Sequence, residues 1–329
     1  MEKRVVIGMI ISLGIFKAGS VWGFTEGNSN NFFGTDAGTN ITTGLYNSFY
    51  SASAGYSNTD AYYNSFFGAS AGINNTIGTG NSFFGAFVGW QNTSGSANSF
   101  FGNLTGYNNS TGISNSFFGV EAGFNNSSGN NNSFFGRTAG FANTTGSHNS
   151  FFGEMAGYTN TTGLGNAFFG SEAGQVNDGN QNSYFGLAAG FSNTSGNFNS
   201  FFGANAGLNN TDGSYNVFLG YKAGYNETGS NKLYISNSDT STPLIYGEFD
   251  NKYLEVNGTL NVQGTDAYNA FSLNVLGHTG GTSHTQMVTG LANSRFMFMA
   301  GETIDYAPRV GMVGSQDGST GVRGWMVFD

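Results

Sequence analysis

Pairs of adjacent aromatic residues, each followed by glycine, recur along this chain between stretches of small polar residues. The segment Asn64–Gly68, with the sequence NSFFG, returns as Asn98–Gly102, Asn115–Gly119, Asn132–Gly136 and Asn149–Gly153. In a β-strand, neighbouring side chains point to opposite faces. The pattern therefore predicts short strands in which one aromatic of each pair is buried and the other faces outward.

The glycine after the aromatic pair recurs with a 17-residue period and defines twelve copies between positions 30 and 229. The interval from Gly170 to Gly186 is one residue shorter, and we expect the missing residue in the turn around Asp178–Gly179. The consensus is N-S-F-F-G-x-x-A-G-Y-x-N-T-T-G-x-x, and a repeat of this length decides the fold. The repeat columns are represented by Asn64, Phe66, Phe67, Gly68, Gly72, Phe100, Phe101, Gly102, Phe117, Phe118, Gly119, Phe134, Phe135, Phe151 and Phe152.

These features predict an all-β chain, a parallel β-roll or β-solenoid of about twelve 17-residue coils. In each coil we expect NSFF to form one strand and AGY a second, with alanine where the roll is too narrow for anything larger. N-T-T-G is expected to form a turn in which Asn and Gly supply the backbone angles. Stacking coils ~4.8 Å apart gives a rod of roughly 55–60 Å, along which the opening Asn forms an amide ladder and the aromatics stack.

A row of outward aromatic side chains is the kind of apolar stripe that monomers rarely expose. We therefore expect a homo-oligomer in which the outward aromatics pack against partner chains, and we favour a homotrimer. The alternative is a monomeric roll in which the glycine twists the strand and brings both aromatics inside.

The repeat is similar to the heads of a known family. NSFFG resembles the N-S-V-A-I-G element of YadA-like heads in trimeric autotransporter adhesins, and the following x-x-A-G resembles the small-residue strand of those heads. This resemblance covers positions 30–229 and implies a trimer of left-handed parallel β-rolls on a bacterial surface. The 17-residue period and the Phe pairs depart from that family, and neither a heptad stalk nor a C-terminal barrel of membrane strands is visible.

The N-terminus has the pattern of an export signal. Two basic residues precede an apolar run at Val5–Phe16, and small residues follow it. We place a signal peptide at residues 1–23, with cleavage after Ser20 or Gly23. An uncleaved anchor is the alternative, although the run is short for a membrane span. With no second apolar run in the sequence, we expect a mature chain without a transmembrane segment, located outside the cell or on its outer surface.

Composition narrows the possible partners and chemistry. The chain has no Cys and only 9% charged residues, and its formal charge of −9 includes no basic patch, so we expect no nucleic-acid partner. No paired carboxylates or Ser-His-Asp pattern stand out, and we expect no enzyme, no cofactor and no metal site. His278 and His284 could form half of a metal site, but we expect surface residues because no Cys and few acids lie nearby.

After Gly229 the repeat stops. Residues 230–264 alternate apolar and polar positions between turn formers, and we predict a β neck or cap that closes the last coil. Residues 265–329 are predicted to form a small C-terminal β domain.

We hypothesise a secreted or cell-surface fibrous protein, similar to adhesins, whose trimeric β-roll binds a protein or glycan surface at many points. The alternative is a structural subunit of an extracellular filament or of an appendage similar to a tail fibre. The Thr and Ser pairs of the turns also suggest the hydroxyl arrays of ice-binding proteins.

Overall fold

The computed structural model describes the backbone of β1 (Ser20–Phe24), residues 29–260, and two strands near the C-terminus. The chain divides into two compact units, Met1–Leu260 and Asn261–Asp329, which are described separately. Within the described residues every regular element is a β-strand.

Twelve strands of the first unit form one parallel ladder, with one strand in each coil. Each strand pairs in register with its counterpart in the next coil, so equivalent residues of successive coils lie side by side. The predicted β-solenoid of 17-residue coils is confirmed. The strands are β2 (Asn31–Thr35), β3 (Ser48–Tyr50), β4 (Ser65–Phe67), β5 (Ser82–Phe84), β6 (Ser99–Phe101), β7 (Ser116–Phe118), β8 (Ser133–Phe135), β9 (Ser150–Phe152), β10 (Ala167–Phe169), β11 (Ser183–Phe185), β12 (Ser200–Phe202) and β13 (Val217–Leu219).

The first aromatic of each pair fills the interior of the roll. From Phe49 to Phe218 these rings have no exposed surface, and neighbouring ring centroids lie 4.6 to 4.9 Å apart. Such stacking, together with burial of the whole ring, is a large apolar contribution from each coil. We call this set the inner Phe column: Phe32, Phe49, Phe66, Phe83, Phe100, Phe117, Phe134, Phe151, Phe168, Tyr184, Phe201 and Phe218.

Two glycines make room for this column and for the turn that follows the strand in every coil except the second, where Ser51 takes the first glycine position with φ +126°. Gly68 has φ +141°, and a Cβ there would overlap the carbonyl oxygen of Gly85 in the next coil. Gly72 has φ +57°, and a Cβ there would collide with the ring of Phe66. Glycine is thus favoured at both positions by backbone angle and by space.

The predicted second strand of each coil is wrong. Ala71–Ile73 lies in consecutive turns, in which Ala71 N–H donates to the Gly68 carbonyl at 3.1 Å and Asn75 N–H to the Gly72 carbonyl at 3.0 Å. Ser70 and Gly72 both have left-handed backbone angles, which a strand cannot contain. The alanine position is fully buried as expected, but it also accommodates Val88 and Thr105.

The role assigned to the turn glycine of N-T-T-G is also wrong. Gly78 has no left-handed φ, but a Cβ there would overlap the Gly95 carbonyl and the Asn75 side chain. The glycine is therefore needed for space and not for its backbone angles. In the coil where Ala61 takes this position, the buried amide of Asn58 has no hydrogen-bond partner.

Two ladders of buried Asn side chains connect the coils. In the opening column, Asn64 Oδ1 accepts the backbone N–H of Asn81 at 2.9 Å, and Asn64 Nδ2 donates to the Gly78 carbonyl at 2.9 Å. The predicted ladder therefore exists, and it also closes each coil onto its own last turn. A second ladder was not predicted: in the turn column, Asn92 Nδ2 donates to Asn75 Oδ1 at 2.6 Å.

Antiparallel strands lie at both ends of the parallel ladder. At the N-terminal end, β1 pairs with β2, from Ser20 opposite Thr35 to Phe24 opposite Asn31. This strand overlaps the end of the predicted export signal. Cleavage after Ser20 would remove only its first residue, whereas cleavage after Gly23 would retain only Phe24.

At the C-terminal end, β14 (Lys232–Ile235) continues the parallel ladder, and β15 (Ile245–Glu248) and β16 (Tyr253–Val256) follow in antiparallel order. The Tyr234 ring meets Phe218 edge-on, with an interplanar angle of 83°, so the inner Phe column ends there.

In the second unit the structure describes one antiparallel pair, β17 (Arg309–Val313) and β18 (Val322–Val327). The predicted neck is described as far as Leu260. His278, His284 and the rest of the predicted C-terminal domain lie outside the described residues.

The left-handed backbone conformation of Ala97 leads to a prediction about the free energy of unfolding. Ala97 is exposed and has φ +58°, at a position where other coils carry Gly80 or Gly165. Because an L-residue in this conformation costs roughly 1–2 kcal/mol, Ala97→Gly should raise the free energy of unfolding by about 1 kcal/mol. Ala52→Gly is the matched control, because Ala52 is exposed but has no left-handed φ; this change should lower the free energy of unfolding. Equal effects of the two substitutions in denaturant titrations would contradict the backbone argument.

Candidate functional site

The second aromatic of each pair forms a continuous column on the outer face of the strands. From Tyr50 to Phe202 its rings stack with centroids 4.6 to 4.9 Å apart and interplanar angles of 3 to 8°. Most of these rings are half-buried, and Phe202 is 41% exposed. We call this set the outer Phe column: Phe33, Tyr50, Phe67, Phe84, Phe101, Phe118, Phe135, Phe152, Phe169, Phe185, Phe202 and Leu219.

A second apolar column lies on the surface after the turn, at the Tyr position of the consensus. Tyr107, Phe124 and Phe141 stack with centroids 5.1 and 5.2 Å apart. Among the described residues, the rings of these three aromatics contact each other and the equivalent rings of neighbouring coils. Within those residues they make no ring contact with the outer Phe column. We call this set the side column: Tyr56, Ile73, Trp90, Tyr107, Phe124, Phe141, Tyr158, Phe191, Leu208 and Tyr225, with Thr39 and Gln175 interrupting it.

Stacking determines which part of each ring a partner can reach. Along both columns the ring faces cover each other, so the edges are what remain accessible. Sugar rings and planar ligands commonly bind aromatic faces, and those faces are already occupied here. The two columns are therefore suited to apolar groups that approach from the side.

The first hydroxyl group of the N-T-T turns bonds within the rod. Thr76 Oγ1 donates to the Thr93 carbonyl at 2.9 Å, and Thr93 Oγ1 donates to the Ser110 carbonyl at 3.1 Å. The same pattern continues at Ser110 and Ser127. These donors connect successive coils, and this weakens the comparison with the free hydroxyl arrays of ice-binding proteins.

In the coil that is one residue short, the side chain of Asp178 replaces a backbone hydrogen-bond acceptor of the regular turn. In the regular coils one carbonyl accepts three N–H groups from the preceding turn, as the Thr93 carbonyl does from residues 76–78. In the short coil Asp178 Oδ1 accepts from the N–H groups of Thr161, Thr162 and Gly163, at 2.8, 2.7 and 3.0 Å. The missing residue is thus in the predicted turn, and a carboxylate replaces the carbonyl that was lost with it.

Hydrogen bonds also determine the acidity of the turn carboxylates. Burial raises the pKa of Asp178, but the bonds from Thr162, Thr161 and Gly163 outweigh it and hold that pKa below its usual value. Hydroxyl groups of Ser195 and Thr194 lower the pKa of Asp212.

Asp60 is a third carboxylate in these turns. The hydroxyl groups of Thr43 and Thr42 donate to Asp60 Oδ1 at 2.6 and 2.7 Å and lower its pKa.

The antiparallel strands at the C-terminal end carry a cluster of polar side chains that bond to one another. Lys232 Nζ lies 2.8 Å from Glu248 Oε1, and the Tyr246 hydroxyl donates to the same oxygen. Hydrogen bonds from Lys232, then from Tyr246 and Asn251, lower the pKa of Glu248 to about 2. These partners satisfy one another, so the cluster has the features of a structural site.

No described group of His, Asp and Glu side chains is arranged to hold a metal ion. An open groove of about 310 Å³ lies beside Gly165, where the missing side chain leaves space between His148 and Gln181. Arg137 and Glu154 form an exposed ion pair between neighbouring coils. None of these features brings together the groups that a catalytic site would need.

The structure separates the predicted repeat residues into three environments. The opening Asn and the first aromatic, represented by Asn64 and Phe66, are fully buried, and Phe67 lies in the outer Phe column. The predicted glycines line the turn between them. The Asn of the N-T-T turn was not singled out, although its presence in most copies next to a required glycine was a usable signal.

Comparisons with known proteins find no match to this arrangement. No family model, no curated protein and no solved structure matches the chain. In the described part of the chain, no helix has the length and apolar character needed to cross a bilayer.

The compensation at Asp178 predicts a pH-dependent contribution to stability. Because its pKa is lower in the folded chain than in the unfolded chain, Asp178 stabilises the fold above pH about 4 and loses this effect as the pH falls through the folded value. Asp178→Asn should lower the unfolding temperature at pH 7, by about 2–4 °C for each kcal/mol lost. The difference from the unsubstituted chain should shrink below pH 4.

Asp36→Asn is the control for the loss of one exposed carboxylate. If the difference in unfolding temperature between Asp178→Asn and the unsubstituted chain stays constant from pH 7 to pH 2, the role of the carboxylate is contradicted.

Proposed function

We propose that this chain is a non-enzymatic fibrous protein, exported to the outer surface of the cell or beyond it, that binds surfaces through many repeated weak contacts. In this proposal the β-roll is trimeric, as in adhesin heads, and its ligand is a protein or a glycan. The observation that carries the proposal is a rigid stack that repeats one set of surface side chains in every coil.

Repetition at a fixed spacing favours multivalent binding. Twelve coils ~4.8 Å apart present twelve nearly equivalent positions along one line. Each contact can be weak, because once one coil is bound the others are held near the same surface at a high effective concentration. The positions that differ most between coils flank the glycines, and they would set what the rod binds.

The low charge of the surface is consistent with such a role. Between Asn64 and Gly163 the only charged side chains are Glu121, Arg137 and Glu154. Association with a surface would then depend on close apolar and polar contact more than on long-range charge.

The ends of the parallel ladder favour this proposal over an extracellular filament. Growth by stacking coil on coil would need an open parallel strand edge at each end. Instead, β15 and β16 follow antiparallel after β14, and the part of β1 that cleavage after Ser20 retains pairs antiparallel with the first coil. Antiparallel end strands limit growth of the ladder from one chain to the next.

Imaging of the exported chain tests the choice between head and filament. Electron microscopy and small-angle scattering should show discrete particles whose repeat region is roughly 55–60 Å long. Antibodies raised against the repeat should label the surface of intact producing cells. Threads of indefinite length would favour the filament, and label confined to broken cells would contradict surface display.

Deleting whole coils tests multivalent binding. Removal of residues 98–131 takes out two coils and joins Ala97 to Asn132 in the original register. This variant should stay folded, become about 10 Å shorter and detach faster from surfaces coated with collagen, fibronectin or mucin. Removal of residues 98–126 breaks the register and serves as the folding control. Unchanged detachment after the in-register deletion would contradict multivalent binding.

A further inference from the structure

The first unit carries two apolar columns on its surface. The outer Phe column and the side column both extend along the stack, and most of their side chains are partly buried with some surface still accessible. Within the described residues, stacking contacts connect rings along each column. The chain thus carries two separate stripes with the same axial repeat.

We propose that the outer Phe column of one copy packs against the side column of a second copy, and that this contact repeats around a closed ring of three chains. The inference rests on the trimeric rod of the proposed function and names the surfaces that form it.

Axial spacing is the first argument that the occupant is another copy. Centroids lie 4.6 to 4.9 Å apart in the outer Phe column and 5.1 to 5.2 Å apart between Tyr107 and Phe141. A partner must have nearly the same repeat to meet every ring along the rod. A parallel copy of the same chain has that repeat by construction, whereas an ordinary globular surface would meet only a few rings.

The second argument is the accessible part of the rings. Because their faces are covered by neighbours, the rings can bury their edges only between side chains that project from another column. Side chains of two facing β-surfaces interdigitate in this way in dry zipper interfaces. Ser65 and Phe67 alternate small and large side chains across the strand face, which gives an approaching column a groove beside each ridge.

The third argument concerns charge and area. Charged side chains are nearly absent from the central coils: Glu121, Arg137 and Glu154 all lie in the two positions after the first glycine.

A strip ~10 Å wide along a ~55–60 Å rod covers roughly 550–600 Å² on each copy. The total of about 1,100 Å² for each contact is near the lower end of specific interfaces, and a ring of three contains three such contacts.

Symmetry allows two closed assemblies for this contact. A two-fold dimer with its axis along the rods would pair each outer Phe column with the side column of the other chain, and it would have the mass of two chains. Head-to-tail pairing around a three-fold axis closes with three chains, which is the number in the proposed function. Both columns are then covered in every chain.

A mixing experiment separates this arrangement from the alternatives. Variant O carries Phe84→Asp, Phe118→Asp and Phe152→Asp in the outer Phe column. Variant S carries Trp90→Asp, Phe124→Asp and Tyr158→Asp in the side column. The charge control carries Ile77→Asp, Thr111→Asp and Thr145→Asp, at a turn position where Asp60 and Asp212 occur naturally. Alternate coils are used so that the new carboxylates are not neighbours.

Light scattering should give the mass of three chains for the unsubstituted protein and for the charge control, and one chain for each of O and S alone. An equal mixture of O and S should give the mass of two chains, because one intact outer Phe column meets one intact side column. Circular dichroism checks that each variant is folded. The single substitutions Phe118→Asp and Phe124→Asp repeat the test with less perturbation and should weaken the trimer.

Three results would overturn the inference. If S keeps the mass of the unsubstituted protein while O becomes a monomer, the outer Phe column pairs with itself. If both variants keep that mass, neither column forms the contact. If the unsubstituted protein has the mass of one or two chains, the ring of three fails, but faster detachment of the coil-deletion variant from coated surfaces would still support multivalent binding.

Discussion

The stacking of one buried phenyl ring on the next, once in each coil, is the interaction on which the rest of this structure depends. A ring must return to the same place in each coil, and so the chain between two rings must have a fixed length and path. Gly68 and Gly72 allow the chain to turn next to the ring of Phe66 without overlapping it or the next coil. The opening Asn then closes the coil through hydrogen bonds to its own last turn and to the next strand.

Where the sequence departs from the repeat, the local hydrogen bonds show how strict this geometry is. Asp178 supplies acceptor oxygens for the N–H groups that lost a carbonyl, and the ladder continues through the short coil. The methyl group of Ala61 fills space that glycine leaves open elsewhere, and the buried Asn58 amide is left without a partner. Tyr184 places a hydroxyl in the inner Phe column, where burial raises its pKa and the Asn199 side chain only partly opposes that shift.

The architecture was predictable from the sequence because every coil must satisfy the same packing requirement and therefore repeats the same residue pattern. Twelve copies of the aromatic pair identify the period, the strand and the alternation of buried and outward rings. The second strand was predicted wrongly because Ala71 and Ile73 have a strand-like pattern, while Ser70 adopts a left-handed conformation that serine rarely has. Phe87 and Leu104 adopt the same conformation, which propensity alone would not suggest. Stacking of neighbouring coils imposes it.

The surfaces were harder to predict than the core. The sequence indicates that one aromatic of each pair faces outward, but only the three-dimensional stack shows that ring faces are covered and edges exposed. Likewise, the Asn of the turn resembles an ordinary turn residue until Asn75 and Asn92 are seen to bond to each other. Export, surface display and assembly depend on other molecules, and they therefore stand here as proposals that rest on the repeated surface.

Distances between coils test the central claim most directly. The chain has no Cys, so spin labels can be placed at Ser82→Cys with Ser150→Cys, and at Ser82→Cys with Ser200→Cys. These pairs are four and seven coils apart, and pulsed electron paramagnetic resonance on labelled chains diluted with unlabelled ones should give about 19 and 34 Å between backbone positions, broadened by the label linkers. Distances that do not increase in proportion to the number of coils would contradict a stack in which each copy of the repeat forms one coil.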